Sequence, residues 1–237
     1  ITLRVCRDTR FKQGCLSLQL VRQMHKEEAA LNALLPSVLL RGTVSCPDLR
    51  SITEHLDELY GASISPLVRR VGDYQTTGLY CGFMDDRFAL PGDQVLRPML
   101  RFLEEVLLDP PLENGAFLPA FVESEKKNLI STIESERNDK RAYSMSRLLK
   151  TMCREDTFGL SRLGEPEQVA SITPRSLYVH YRNILRTSPM EISYVGSAEP
   201  HQVAHLLMPL LGRLDRAPLA LENQTPFQPS EGSDLTE

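Results

Sequence analysis

Four short stretches of the chain have the residue pattern of β-strands. Residues 15–20 alternate hydrophobic and polar side chains, and a half-buried strand shows this period of two. Residues 64–70 and 75–83 flank a Gly72-Asp73 pair, which is typical of the turn of a β-hairpin. Residues 190–195 are the fourth predicted strand.

Hydrophobic residues spaced three and four positions apart predict the helices. After Pro47 this spacing puts four side chains on one helical face, with Gly61 as the C-terminal cap: Leu49, Ile52, Leu56 and Leu59. Thr173-Pro174 has the composition of an N-cap followed by a first-turn proline. The remaining predicted helices cover residues 27–40, 95–108, 117–152 and 200–214.

Two prolines and one polar segment predict interruptions of these helices. Proline lacks the backbone N–H and clashes with the preceding turn, so we expect a kink or a restart at Pro36 and a kink at Pro209. Residues 134–141 are polar, and we expect them to break the long helical tract.

The order of these elements predicts an α+β fold. Hairpin-like strands among several helices indicate an antiparallel sheet with helices packed mainly on one face. Residues 1–216 carry this pattern, whereas residues 217–237 mix Pro, Gln, Ser and acidic residues without periodicity and are predicted to start a linker. Because the chain begins with Ile1 instead of Met, we expect a fragment of a longer protein.

Composition excludes several classes of partner. The net charge of -4, the 6% aromatic content and the absence of Trp argue against nucleic acid. The longest apolar stretch, residues 33–40, is too short and too interrupted to span a membrane, so no membrane association is predicted. Five Cys without a C-x-x-C pair favour a reducing compartment.

One local pattern could hold a metal ion. His201 and His205 are four residues apart on a predicted helix, a spacing at which two imidazoles can bind one zinc ion. The peptidase form of this motif needs a glutamate beside the first histidine, and Gln202 cannot act as that base. We therefore favour two solvated histidines on a surface helix.

Residues 33–43, Ala-Leu-Leu-Pro-Ser-Val-Leu-Leu-Arg-Gly-Thr, resemble a known signature. In the insulinase/pitrilysin family of zinc peptidases the sequence H-x-x-E-H is followed by three residues, a basic residue and Gly-Thr. The order of the predicted elements is similar to that family over nearly the whole chain. The resemblance implies an insulinase-like (LuxS-metallohydrolase-like) N-terminal half-domain over residues 1–216, with the second half not present in this chain.

The resemblance also implies that the active site is missing. The two zinc-binding histidines of the signature fall on Ala33 and Ser37, and its glutamate base falls on Pro36. The distal glutamate ligand falls on Thr132. Ala and Pro have no side-chain atom to offer a metal, a neutral Ser hydroxyl is a poor zinc ligand, and Pro36 cannot accept a proton. No catalytic residue, metal site or cofactor is therefore expected.

Further residues are similar to a zinc-less bacterial subgroup, labelled YfmF-like, that is associated with elongation factor P modification: Phe11-Lys12, residues 59–62, Asn138-Asp139-Lys140 and Tyr143. This resemblance implies a cytoplasmic, non-catalytic subunit that pairs with a zinc-bearing insulinase-like subunit as a heterodimer and encloses a peptide chamber. An extended peptide could add a strand to the sheet edge.

Two alternatives stay open. The first is an active zinc metalloendopeptidase, with a relocated site at His201 and His205 or with a site completed by the missing half. The second is a scaffold that binds no peptide.

Overall fold

A computed structural model describes residues 1–154 and 156–221, and its centre is a five-stranded sheet. The strands lie in the order β1-β7-β2-β4-β3. Strand β1 pairs with β7 in parallel, and the other neighbours are antiparallel. The strands are β1 (Thr2–Arg7), β2 (Gln13–Gln23), β3 (Ser63–Val71), β4 (Tyr74–Met84), a separate β5–β6 pair (Leu112–Glu113 and Ala116–Phe117), and β7 (Met190–Gly196).

The helices pack mainly on one face of this sheet. Leu16, Leu18 and Leu20 of β2 point to that face and are buried, while the residues between them are half-buried. A mostly antiparallel sheet with helices packed on one face confirms the predicted α+β class. In the described part of the chain the α-helices are α1 (Lys26–Leu39), α2 (Leu49–Glu58), α3 (Leu96–Leu108), α4 (Pro119–Ser135), α5 (Lys140–Met152), α6 (Pro166–Ser171), α7 (Pro174–Thr187) and α8 (Pro200–Gly212).

The predicted elements are present, and several bounds differ by a few residues. The polar segment does interrupt the long helical tract, since α4 ends at Ser135 and α5 begins at Lys140. Thr173 caps α7 as expected, with its hydroxyl accepting a hydrogen bond from the Ser176 backbone N–H at 3.1 Å. Strand β1, the β5–β6 pair and the short helix α6 were not predicted.

The expected restart at Pro36 is wrong, because α1 continues through this residue to Leu39. Pro36 has no N–H for the carbonyl of Asn32, one turn earlier. The Thr77 hydroxyl of strand β4 donates to that carbonyl at 2.6 Å instead. A tertiary contact thus replaces the helical hydrogen bond that proline removes. Helix α8 likewise continues through Pro209 to Gly212.

The end of the half-domain stays a prediction. Beyond α8, the backbone N–H groups of Ala217 and Leu219 donate to the carbonyls of Arg186 and Thr187, at 2.9 and 2.8 Å. The predicted linker therefore begins with residues that contact the end of α7. Residues 222–237, the rest of that predicted linker, lie outside the described residues.

Candidate functional site

The four substituted signature positions lie on two helices that contact each other, α1 and α4. Ala33 and Ser37 are one helical turn apart and share a face of α1. Pro36 is buried, and Ala33 is also buried. Thr132 lies on α4, is exposed, and donates its hydroxyl to the Asn128 carbonyl at 2.9 Å. Its hydroxyl is thus used within its own helix.

An ion pair joins the end of α1 to α4. The Arg41 guanidinium lies 3.3 Å from a Glu125 carboxylate oxygen and 5.8 Å from the centre of the Phe121 ring. Asn128 donates to the same carboxylate oxygen at 3.2 Å. The pair is largely shielded from solvent, so it is screened less than a surface pair. It fixes the segment after α1 against the helix that carries Thr132.

The Gly-Thr pair of the signature anchors the next loop. A Cβ on Gly42 would lie 2.7 Å from the Pro47 carbonyl oxygen, so only glycine fits this close approach. Thr43 is fully buried and donates its hydroxyl to Glu105 of α3 at 2.8 Å, and the Ser45 backbone N–H donates to the same oxygen. Burial alone would raise the pKa of Glu105, but these hydrogen bonds lower it below its usual range.

A buried polar network lies on the sheet side of α1, and sequence reasoning missed it. Asn32 donates to Gln75 of β4 at 2.8 Å, and its side-chain oxygen lies 2.7 Å from His180 Nε2 of α7. Burial lowers the pKa of His180 to about 4, although Glu28 partly opposes this. The three residues come from three separated elements, so no local motif could have identified them.

In the part of the chain that the structure describes, His201 and His205 are not grouped with a third His, Cys, Asp or Glu. Both are exposed on α8, and Gln202 between them accepts a hydrogen bond from the Glu199 backbone N–H at 3.0 Å. Within the described residues, no three His, Cys, Asp or Glu side chains are grouped so that they could hold a metal ion.

Among the described residues, strand β3 forms one edge of the sheet and pairs only with β4. Arg70 near its end donates to the carbonyls of Phe158 and Leu160, at 3.0 and 2.9 Å. Ser63 to Val68 precede that contact and leave the outer side of the strand without a neighbouring strand in the described part of the chain. This segment is where another extended chain could pair.

Comparisons with known proteins agree with this architecture. No protein-family model matches the chain. The chain is 30% identical over 203 residues to "Probable inactive metalloprotease YmfF" of Bacillus subtilis (strain 168), an alignment that covers 86% of this chain and 48% of the relative. The chain therefore spans about half the length of that relative.

Three solved structures share the fold. A conserved protein from Enterococcus faecalis V583 has a TM-score of 0.82 at 24% identity, over 91% of this chain and 50% of that protein. A peptidase M16 inactive domain from Pseudomonas fluorescens has a TM-score of 0.69 at 16% identity, over 95% and 51%. Pitrilysin also has a TM-score of 0.69 at 16% identity, over 94% and 23%.

The chain shares its fold with M16 peptidase domains, and the Bacillus subtilis relative is itself named as a probable inactive metalloprotease. These similarities agree with the predicted resemblance to the insulinase/pitrilysin family. The Bacillus subtilis relative is named YmfF, whereas the bacterial subgroup that the sequence resembles is labelled YfmF-like. The association with elongation factor P modification stays a prediction.

None of the helices in the described part of the chain combines the length and the hydrophobicity that crossing a lipid bilayer requires.

Proposed function

We propose that this chain is a non-catalytic half of an insulinase-family assembly and that it acts by binding, in the cytoplasm of a bacterium. The observation that carries the proposal is the set of four substitutions at the signature positions: Ala33, Pro36, Ser37 and Thr132. A peptidase of this type needs a metal to bind water and a base to take its proton. None of these four side chains supplies either function.

The retained parts of the signature support a structural role. Gly42, Thr43 and the Arg41–Glu125 pair hold the loop and the two helices together. A half-domain that keeps this scaffold can still form one wall of a peptide chamber. The partner in this proposal is a zinc-bearing insulinase-like subunit, which supplies the chemistry.

The edge strand β3 is our proposed site for an extended peptide. A peptide that adds a strand beside residues 63–68 would form backbone hydrogen bonds except at Pro66, which has no N–H, and such bonds supply much of the affinity in this mode of recognition. A plain scaffold would lack this binding. Titration of the chain with unstructured peptides separates the two, since only the first predicts saturable binding.

The first experiment has two measurements. One is the zinc content of the purified protein, and the other is whether the protein forms a complex with an insulinase-family homologue that carries an intact H-x-x-E-H motif. We expect less than about a tenth of an equivalent of zinc and a stable complex on size-exclusion chromatography. A monodisperse chain that binds no such homologue would refute the assembly role.

The alternative function is an active zinc endopeptidase with ligands at His201 and His205. It predicts close to one equivalent of zinc, and a loss of zinc and of peptide cleavage in the His201→Ala variant. The exposure of both histidines, and Gln202 in place of the base, argue against it.

A further inference from the structure

Helix α5 exposes its hydrophobic face to solvent. Three side chains one or two turns apart form a stripe along it, Met145, Leu148 and Met152, and these are 56%, 50% and 58% exposed. Leu149, beside the stripe, is 36% exposed. In the described part of the chain, no residue of α5 is buried.

The polar face of the same helix is turned toward the protein. Tyr143, Ser146 and Lys150 are the less exposed residues on that side, and Lys150 makes an ion pair with Glu165 at 2.8 Å. A surface helix normally packs the opposite way, with its apolar stripe on the core. The exposed stripe of α5 is therefore unsatisfied in the isolated chain and is typical of an interaction surface.

The charges around the stripe specify the chemistry of what covers it. Helix α5 carries four basic and no acidic residues, although the whole chain has a net charge of -4. Arg141 lies one turn before Met145, on the exposed apolar face itself. Within the described residues, no carboxylate lies within ion-pair distance of Arg141 or Arg147. A complementary surface has an apolar centre and carboxylates at its rim.

We propose that the stripe of α5 docks the zinc-bearing insulinase-like subunit, through an apolar patch of that subunit with an acidic rim. The inference rests on the proposed function and adds to it the surface at which the two subunits meet. Helix α5 follows α4, which carries Thr132, after a short 3-10 helix (Glu136–Asn138), so the two helices are neighbours along the chain.

Two other occupants fit the stripe less well. A lipid bilayer would take the apolar face into its acyl region, and Arg141 on that face would lose its hydration without gaining a carboxylate. The stripe also lacks the aromatic residues that anchor helices at membrane surfaces, and methionine is common at adaptable protein-binding surfaces. A second copy of this chain would bring the same basic helix to the contact, where like charges repel.

The test compares matched methionine variants in the full-length protein. Met145→Gln/Met152→Gln removes apolar contact without adding charge, and Met208→Gln on α8, where Met208 is 59% exposed, is the control. We expect the double variant to weaken binding to the homologue with the intact H-x-x-E-H motif by about 10- to 100-fold and the control to change it less than about threefold. Arg141→Glu/Arg147→Glu should slow association by about tenfold and reduce its salt dependence.

The outcomes separate this inference from the proposed function. If the wild-type chain binds no such homologue, the proposed function fails and the inference fails with it. If the wild type binds and the Met145→Gln/Met152→Gln variant binds as tightly as the Met208→Gln control, only the α5 interface is overturned. It is also overturned if the double variant loses only self-association or only binding to vesicles of anionic phospholipid, since a second copy or a membrane would then be the occupant.

Discussion

Replacing Thr77 by valine tests how this chain tolerates Pro36 inside helix α1. The Thr77 hydroxyl donates to the Asn32 carbonyl, which Pro36 cannot satisfy. Asn32 is fully buried and Thr77 is 1% exposed, so no solvent reaches the carbonyl after the substitution. Valine keeps the shape of the side chain and removes the donor.

The expected loss follows from the cost of an unpaired buried acceptor. Such a group costs about 1–3 kcal/mol, and we expect Thr77→Val to lower the free energy of unfolding by about 2 kcal/mol. In urea, with a slope of about 3 kcal/mol per molar for a chain of this size, the midpoint should fall by about 0.7 M. The assay is urea unfolding followed by far-ultraviolet circular dichroism.

A neighbouring residue supplies the matched control. Thr76 is also buried, but among the described residues its hydroxyl has no hydrogen-bond partner. Thr76→Val should therefore leave stability unchanged or raise it slightly. In a Pro36→Ala background the new N–H can bond the Asn32 carbonyl, so Thr77→Val should there cost less than about 1 kcal/mol. Equal effects of the two threonine substitutions, or an undiminished Thr77→Val loss in the Pro36→Ala background, would refute the reasoning.

Three further predictions concern the core and the substituted site. His180 has a pKa of about 4 in the fold against 6.5 in the unfolded chain, so the unfolded chain takes up the proton first as the pH falls. The free energy of unfolding should therefore be full above about pH 6.5 and fall by up to about 3 kcal/mol toward pH 4. In the His180→Gln variant, the urea midpoints should change less between pH 7 and pH 5. Gly42→Ala forces a Cβ to 2.7 Å from a carbonyl oxygen and should cost about 1–3 kcal/mol in thermal unfolding, whereas Gly212→Ala, with open space around its Cβ, should cost almost nothing. The signature is restored in a quadruple variant with the substitutions Ala33→His, Pro36→Glu, Ser37→His and Thr132→Glu. This variant should bind about one equivalent of zinc by elemental analysis, and a variant that binds none would contradict our placement of the motif.

Local patterns in the sequence were sufficient for most helices and for the hairpin. The polar segment 134–141 predicts the break between α4 and α5 because it offers no apolar side chains to continue a buried face. The Gly72-Asp73 turn predicts the β3–β4 pair because the two strands are neighbours in sequence. Strand β1 was missed because its partner β7 lies about 190 residues away, and no local signal reports such a pairing.

The candidate site divides in the same way. Residue identity alone indicates that Ala33 cannot bind a metal ion and that Pro36 cannot act as a base, since their side chains have no donor atoms wherever the fold places them. The donor that compensates Pro36, and the partners of Asn32, could not be predicted, because Thr77, Gln75 and His180 reach α1 only after the sheet and α7 have packed.

Helix α5 shows this division most clearly. Its sequence by itself determines an amphipathic helix, because the spacing of Met145, Leu148 and Met152 fixes which side chains share a face. Only the tertiary structure decides that this face points to solvent. Which side of a helix is buried depends on the elements that pack against it, and here Lys150, on the opposite side of the helix, pairs with Glu165 at the start of α6.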